Sequence, residues 1–292
     1  MDRNNKILAA VDLDAGTERI LAYALWFAKL GVAGASEISM LHVMDYALTP
    51  PAYLMPYIEK ERAASEEILK DWQQKLKGFG VNSELRIAIG RLVESFSSTI
   101  KEQDISMLVL GHKSHMIRPS SSERLIKSLG IPMLVIRGQK SEGVKTDSVN
   151  IKKILCAVDF SDGSKKAVEF ASTLSEASSS DLIITTIVSS LKIEESFKRL
   201  RGMSEADRDN YKKHVLRESE EKICSVLQVC GGAENVVRMG VPYRTINEIA
   251  LEKDADLVVI GARGLSYIKG LMLGSVAEAI VKSSPCPVMI VH

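Results

Sequence analysis

The residues with the clearest chemical potential are three glycines and a serine near the carboxyl end of the chain. Gly261 and Gly264 are followed, nine residues later, by Gly274 and Ser275. Glycine has no Cβ, so an anion can approach the amide N–H groups beside it. Ser275 stands where a helix is predicted to begin, and a helix N-terminus attracts negative charge. The spacing predicts a loop that holds phosphate.

The same residues also have an explanation that needs no ligand. Ser275 and Glu278 form the S-x-x-E pattern of a capping box, which satisfies a helix N-terminus by itself. Glycines are also common where strands end. The sequence lacks a Gly-x4-Gly-Lys-Ser/Thr loop and any nucleophile beside a base, so we predict no catalytic residue.

The chain consists of two similar copies, and the glycine pattern lies in the second. Landmarks recur in the same order: residues 6–12 and 153–159, both ending in Ala-Val-Asp; Gly111 and Gly261; residues 131–136 and 286–291. The first copy is five residues shorter between its glycine and its last apolar run. We predict domains over 1–138 and 151–292, joined by a polar linker over 139–150.

In both copies short apolar runs alternate with segments of helical periodicity. Runs that are apolar throughout are typical of strands covered on both faces, and helical crossovers make such a sheet parallel. We therefore predict the α/β class, with two tandem doubly wound five-stranded parallel-sheet domains of Rossmann-like type. In the second copy we expect one long amphipathic helix over 197–229. Helix positions expected to face inward are Ala167, Val168, Ala171 and Leu174, then Val276, Ala277, Ile280 and Val281.

Composition narrows the class of protein. The 292 residues hold 38 Lys and Arg against 37 Asp and Glu, which gives no strong field for nucleic acid or a membrane surface. The first apolar run is too short for a signal peptide, so we expect a cytoplasmic protein. Cys156 and Cys286 lie in apolar surroundings and are predicted to be buried thiols. We predict no metal site, since His112 and His115 have no further ligands nearby in sequence, and we expect His42 to be a core histidine.

These motifs resemble the universal stress protein superfamily. The resemblance rests on G-x2-G-x9-G-S after a buried strand, joined to a first strand that ends in Ala-Val-Asp, and it covers the chain twice. It implies an adenine nucleotide alpha hydrolase-like fold that binds ATP or AMP, with Mg²⁺ as a candidate companion of the phosphates. The implied binding residues are Ala157, Val158 and Asp159 at adenine and ribose, Gly261, Arg263, Gly264, Gly274, Ser275, Val276 and Ala277 around the phosphates, and Gly240 on the rim. From the residues alone, Asp159 as the N-cap of the next helix is an equal alternative.

The first copy departs from the pattern. Ser114 stands at the second glycine position and Pro119, which lacks an N–H, at the third, whereas Ser120 and Glu123 keep the S-x-x-E pattern. We predict an intact nucleotide site in the second copy and a degenerate one in the first.

Three functions remain open from the sequence. The first is a nucleotide-dependent binding or switch protein of the stress response, as the resemblance implies. The others are a slow ATPase of the same fold and an oligomeric scaffold without ligand. Each copy ends in an apolar strand, and an exposed apolar edge favours pairing, so we expect the copies to form an intramolecular pseudo-dimer. Similar single-domain proteins form homodimers through this strand, and a homodimer of the whole chain is a further expectation by resemblance.

Overall fold

The computed structural model of the chain describes residues 5–32, 35–46, 51–112, 121–199, 202–227, 232–264 and 273–292. The chain divides into two compact units, residues 1–150 and 151–292. Among the described residues, no helix is long and apolar enough to cross a membrane.

The first unit is a parallel sheet with helical crossovers. In chain order its elements are β1 (Asn5–Ala10), α1 (Thr17–Leu30), β2 (Ala35–Asp45), α2 (Met55–Gly78), β3 (Asn82–Gly90), α3 (Leu92–Glu102), β4 (Ile105–Gly111), α4 (Ser121–Ser128) and β5 (Met133–Ile136). Within the described residues the strand order is β3-β2-β1-β4-β5, and every neighbouring pair is parallel.

The second unit repeats this plan. Its elements are β6 (Lys153–Ala157), α5 (Asp162–Ser178), β7 (Asp181–Ser189), α6 (Ser190–Arg199), α7 (Glu205–Leu227), β8 (Glu234–Gly240), α8 (Pro242–Glu252), β9 (Leu257–Gly261), α9 (Ser275–Ser283) and β10 (Val288–Val291). Its described strands lie in the order β10-β9-β6-β7-β8, again all parallel. The predicted fold class is confirmed for both units.

Apolar strands and helix faces form the core of the second unit. Ile154, Leu155 and Cys156 of β6 have no exposed surface, and the strand lies between β7 and β9. The four apolar positions expected on one face of α5 are all buried. On α9 the expectation holds for Ala277, Ile280 and Val281 but is wrong for Val276, which is 39% exposed in the first turn of the helix.

The helix predicted to fill most of residues 197–229 is confirmed as α7, but its predicted start is wrong, because α6 ends at Arg199 and α7 begins at Glu205. Gly202 adopts φ +92° between them, a conformation that favours glycine and ends helices. Ser204 and Asp207 then form a reciprocal capping box: the Ser204 N–H donates to the Asp207 carboxylate at 3.3 Å, and the Asp207 N–H donates to the Ser204 hydroxyl at 3.2 Å. A Gly and a new cap together restart the helix.

The segment predicted to be a linker contacts α1. Thr146 donates from its backbone N–H to the Glu18 carboxylate at 3.3 Å, and Asp147 forms an ion pair with Lys29. A short 3-10 turn covers Gln139–Ser141, where the buried Ser141 hydroxyl donates to the Gly138 carbonyl at 2.8 Å. Residues 139–150 therefore run along the first unit.

Candidate functional site

The carboxyl ends of β6 and β9 bring two predicted segments together. Ala157 pairs with Ile260 in the parallel register, so the residues after each strand leave the sheet at the same edge. In doubly wound sheets the winding reverses between such central strands, and ligands bind outside that edge. Asp159 and the residues after β9 therefore share the expected place for a ligand.

We use the name glycine loop for residues 261–264 together with residues 274–275. Its two parts touch: the Gly274 N–H donates to the Ala262 carbonyl at 2.8 Å. A Cβ on Gly274 would lie 3.4 Å from that same carbonyl oxygen and 3.7 Å from the Gly264 nitrogen. The backbone therefore folds back on itself beside the start of α9, and a Cβ at position 274 would make ordinary van der Waals contacts with it.

Asp159 lies against this loop. A Cβ on Gly264 would come within 2.3 Å of Asp159 Oδ2, so the carboxylate occupies the space that a larger residue would need. The other oxygen, Oδ1, accepts the backbone N–H of Ser161 at 3.1 Å and its hydroxyl at 2.5 Å. The N-cap of α5 is Ser161, whose hydroxyl oxygen accepts the Ser164 N–H. The alternative role of Asp159 as the N-cap is therefore wrong.

The residue after this aspartate is conformationally strained. Phe160 has φ +65°, in the left-handed region that bulky side chains rarely adopt. Strain of this kind costs on the order of 1–3 kcal/mol and persists where the surrounding structure enforces it. Here it turns the chain so that Ser161 reaches back to the Asp159 carboxylate.

Two glycines let the start of α5 pack directly on the glycine loop. A Cβ on Gly261 would lie 2.6 Å from the carbonyl carbon of Gly163, and a Cβ on Gly163 would lie 2.4 Å from the Arg263 carbonyl oxygen. Real Cβ atoms do not approach backbone so closely, because the interior is already close-packed. Gly261 is thus required by packing between backbones, in addition to any role at a turn or phosphate.

Helix α9 begins at the glycine loop. Gly274 is the N-cap, with φ −75° and ψ 155°, and Ser275 is the first helical residue. The capping-box interpretation is wrong, since Ser275 does not occupy the cap and Glu278 forms an ion pair with Lys282 at 2.9 Å. A glycine at the cap offers no side-chain oxygen to the first N–H groups of the helix, which leaves them to another acceptor.

Ala157, Val158 and Gly240 occupy different surroundings. The backbone of Val158 is engaged by β7: its N–H donates to the Thr185 carbonyl at 2.8 Å, and its carbonyl accepts the Thr186 hydroxyl at 2.8 Å. Ala157 is half-buried at the end of β6. Gly240 ends β8, two strands away from β6 in the sheet.

Close packing explains Gly240 without a ligand. A Cβ on this residue would lie 2.2 Å from the hydroxyl oxygen of Thr245, in the first turns of α8. This contact places Gly240 beside α8.

Two cationic side chains, Arg263 and Lys166, lie close to His292. His292 follows β10, and the Val291 carbonyl before it accepts the Ala262 N–H at 2.7 Å. Burial, with the positive charges of Arg263 and Lys166 as further causes, lowers the pKa of His292 to about 4. The Lys166 ammonium also donates to the His292 carbonyl at 3.1 Å. His292 is therefore neutral at pH 7 while Arg263 and Lys166 carry charge.

The corresponding edge of the first unit is built differently. β4 ends at Gly111, and the positions that predict the degenerate loop, Ser114, Pro119 and Ser120, lie outside the described residues. A cavity of about 30 Å³ opens at this edge. Ligand pockets usually exceed about 300 Å³, so this space fits a few water molecules. Its lining includes Val11, Leu41, Val43, Leu92, Leu110 and Leu125.

An ion pair joins two elements beside this cavity. Arg124 on α4 donates to Asp45 Oδ2 at 2.8 Å, and Asp45 Oδ1 accepts the Leu92 N–H at 3.0 Å. In the second unit the matching positions are Ala279 and Ser189, which carry no charge. The ion pair belongs to the first unit alone and holds α4 toward the end of β2.

His42 and two of the described cysteines have structural roles. His42 donates from Nδ1 to the Val11 carbonyl at 2.8 Å. The histidine is hydrogen-bonded, as predicted, but it is half-buried and lies outside the core. Cys156 and Cys286 are buried thiols, as predicted, and Cys224 is exposed. Among the described residues no group of three or more His, Cys, Asp or Glu side chains could hold a metal ion, and His115 lies outside them.

The sequence matches the Universal stress protein family twice, over residues 3–137 and again over residues 150–292. The chain belongs to the universal stress protein family. Curated relatives match one repeat each. A universal stress protein of Methanocaldococcus jannaschii is 27% identical over 156 residues, covering 49% of this chain and 96% of its own length. Universal stress protein YxiE of Bacillus subtilis is 32% identical over 147 residues, covering 48% of this chain and 98% of its own.

A solved structure shows the tandem form of the family. A universal stress protein from Archaeoglobus fulgidus has a TM-score of 0.71 and 23% identity, with 99% of this chain and 96% of that chain covered. This likeness supports the fold of the whole chain. The family match over both repeats confirms the resemblance inferred from the glycine motif and the Ala-Val-Asp strand end.

Some residues at the site escaped sequence reasoning. The sequence indicates a turn over residues 159–164, but it does not indicate that Ser161, Phe160 and Gly163 join Asp159 to the glycine loop. An Asp followed two residues later by Ser is a known turn pattern and offered a signal for Ser161. Neither the left-handed φ of Phe160 nor the contact between Gly163 and Arg263 has a signature in sequence.

Proposed function

We propose that the second unit binds an adenine nucleotide, ATP or AMP, at the carboxyl edge of β6 and β9. The observation that carries the proposal is the contact of the Asp159 carboxylate with Gly264, beside an α9 N-terminus whose cap is a glycine. A carboxylate accepts hydrogen bonds from the hydroxyls of a ribose, and helix N–H groups donate to phosphate. Both kinds of partner lie at one edge.

The proposed contacts divide by chemistry. Asp159 would accept from the ribose, and the N–H groups of Gly264, Ser275 and Val276 would donate to phosphate oxygens. A single helix-dipole contact contributes about 0.3–1 kcal/mol, so affinity depends on several such groups together. Val276 is partly exposed at this end of α9 and supplies apolar surface beside the ligand. Val158, whose backbone is already bonded to β7, would contact adenine through its side chain.

Mg²⁺ would reach this site with the phosphates of ATP. Magnesium keeps several of its waters and is usually held by substrate phosphates with one or two carboxylates. Because Asp159 would receive the ribose hydroxyls, the phosphates and the waters of the ion would supply its ligands. Through its nucleotide the protein would act as a switch or binding module of the stress response, the role that family membership suggests.

The direct experiment is to identify the ligand. The full chain is denatured after purification and the released small molecules are analysed by mass spectrometry. Calorimetry then gives the Kd for ATP and for AMP. Because a ligand at about 100 times its Kd stabilises the folded state by about 2.7 kcal/mol, ATP should also raise Tm. No released adenine nucleotide, together with no calorimetric signal for either, would refute the proposal.

The expected pairing of the two repeats and the homodimer of the whole chain stay predictions from the sequence. Sedimentation velocity of the full chain measures its assembly state. Mixing separately produced residues 1–140 and 150–292 tests whether the repeats associate.

A further inference from the structure

Ser161 lies between the two segments of the proposed site, the residues after β6 and the glycine loop. Its hydroxyl lies 2.5 Å from Asp159 Oδ1 and 3.3 Å from the Arg263 carbonyl oxygen, so one side chain contacts both the strand end and the glycine loop. The single hydroxyl proton goes to the carboxylate, where the contact is shorter and charge-assisted. The oxygen also accepts the Ser164 N–H at 3.3 Å.

These contacts fix the Asp159 side chain. A carboxylate beside a strand end can take several rotamers, and binding must then select one of them at an entropic cost. Two donors from Ser161, its N–H at 3.1 Å and its hydroxyl, hold Oδ1. The second oxygen, Oδ2, is thereby set beside Gly264.

The first unit offers a natural comparison. Leu13 has a left-handed φ of +58° after Asp12, and Phe160 has one of +65° after Asp159, so both units turn in the same way. The residue at the Ser161 position is Asp14, whose Oδ1 accepts the Gly16 N–H at 2.7 Å. An ionised carboxylate cannot donate to Asp12, and it adds a like charge two residues away.

We propose that Ser161 is the positioning residue of the nucleotide site: by donating to Asp159 and contacting the Arg263 carbonyl, it presets the carboxylate that receives the ligand. The inference rests on the proposed function of the second unit. It goes further in assigning the fixed position of the Asp159 carboxylate to Ser161, where the first unit has Asp14.

Ser161 also caps α5, and the test must separate the two roles. Asp is as good an N-cap as Ser, so Ser161→Asp keeps the cap while it removes the donor and adds a charge. Ser161→Thr keeps both the cap and the donor. Ser161→Ala removes both. Asp14→Ser in the first unit is the matched control.

The measurement is the Kd of the full chain for ATP, by calorimetry, with urea denaturation of each variant to monitor folding. A hydrogen bond to a charged group commonly changes an equilibrium about tenfold or more. We expect ATP binding at least about tenfold weaker in Ser161→Asp, with unfolding close to that of the wild type, and restored affinity in Ser161→Thr. Adding Ser161→Ala to Asp159→Asn should weaken binding little further, because the two side chains act as one unit.

The outcomes are distinct. If Ser161→Asp binds ATP as the wild type does, Ser161 is only a helix cap and the inference is overturned, while the proposed function stands. If the effects of Ser161→Ala and Asp159→Asn on the Kd simply add, the two residues act independently and the inference also fails. If the wild type itself binds no ATP, the proposed function fails and the inference fails with it.

Discussion

The two units make the same turn after their first strand and then diverge. In each, an aspartate is followed by a residue with left-handed φ, Leu13 at +58° and Phe160 at +65°. The shared strain shows that the turn belongs to the common fold. After it, the first unit has Asp14 and the second has Ser161, and of these two side chains only the serine hydroxyl can donate to the preceding aspartate. The fold is therefore kept while the chemistry of the edge changes.

A second difference lies where the first helix of each unit meets the fourth strand. In the second unit a Cβ on Gly261 would strike the Gly163 backbone at 2.6 Å, whereas in the first a Cβ on Gly111 would meet only the end of the Ile20 side chain at 3.4 Å. Direct backbone contact in the second unit sets the glycine loop against α5. In the first unit a side chain fills that space, and an Arg124–Asp45 ion pair spans the edge nearby.

The largest effect is expected from bulk beside Asp159. Gly264→Val forces a side chain into the 2.3 Å gap between the Gly264 Cβ position and Asp159 Oδ2, and so displaces the carboxylate from the loop. Because several hydrogen bonds to the ligand depend on this geometry, calorimetry should show ATP binding weakened by roughly a hundredfold or more. Ser114→Val places the same side chain at the matching position of the first unit. Equal loss of binding from that control would show that the first unit also binds nucleotide.

A smaller effect, on stability, is expected from the backbone contact. Gly261→Ala puts a methyl group 2.6 Å from backbone that has no flexible side chain to move, so overpacking should cost about 1–3 kcal/mol. Gly111→Ala meets only Ile20 at 3.4 Å and should cost less than about 0.5 kcal/mol. Urea denaturation of the two variants measures the difference. Equal destabilisation would contradict the contrast drawn between the units.

The smallest effect concerns pH. The pKa of His292 is about 4 in the folded protein against 6.5 without the fold, so between these values the unfolded state binds more protons. Stability should therefore fall as the pH drops from 6.5 toward 4. The residue is partly solvated, so after discounting for screening the contribution is on the order of 1 kcal/mol. The matching position of the first unit is Arg137, which does not titrate.

His292→Gln tests this difference. When the pH is lowered from 7 to 4.5, the Tm of the variant should fall less than the Tm of the wild type, as measured by calorimetric melting. Arg137→Gln should leave the pH dependence as it is in the wild type. Parallel pH profiles for wild type and His292→Gln would contradict the assignment.

Much of the fold was predictable because its signals are local. Apolar runs such as residues 153–158 identify strands, and the helical face of Ala167, Val168 and Ala171 identifies its buried side. The break between α6 and α7 was missed because a capping box near Gly202 overrides a continuous helical pattern. Val276 was wrongly predicted to face inward, because helical periodicity does not show that the first turn of α9 leaves the core.

The site was harder to predict, because its geometry depends on pairs of residues far apart in the sequence. The glycine spacing indicates the loop, but the contact between Gly264 and Asp159 joins two strands, and the requirement for Gly261 comes from Gly163 on a third element. For Gly240 the sequence predicts a rim residue, which stays a prediction, and the structure adds a packing reason for the glycine in its contact with Thr245. A glycine can be required by a ligand, by packing against backbone or by a side chain from another element. The spacing of glycines in the sequence does not separate these causes.

The central claim is that one nucleotide binds per chain and that it binds in the second unit. Calorimetry with ATP on the wild type, Asp12→Ala and Asp159→Ala tests it most directly, since these aspartates hold the same place after β1 and β6. The account predicts a stoichiometry of about one for the wild type and for Asp12→Ala, and binding at least about tenfold weaker for Asp159→Ala. Two nucleotides per wild-type chain, or unchanged ATP binding in Asp159→Ala, would contradict it.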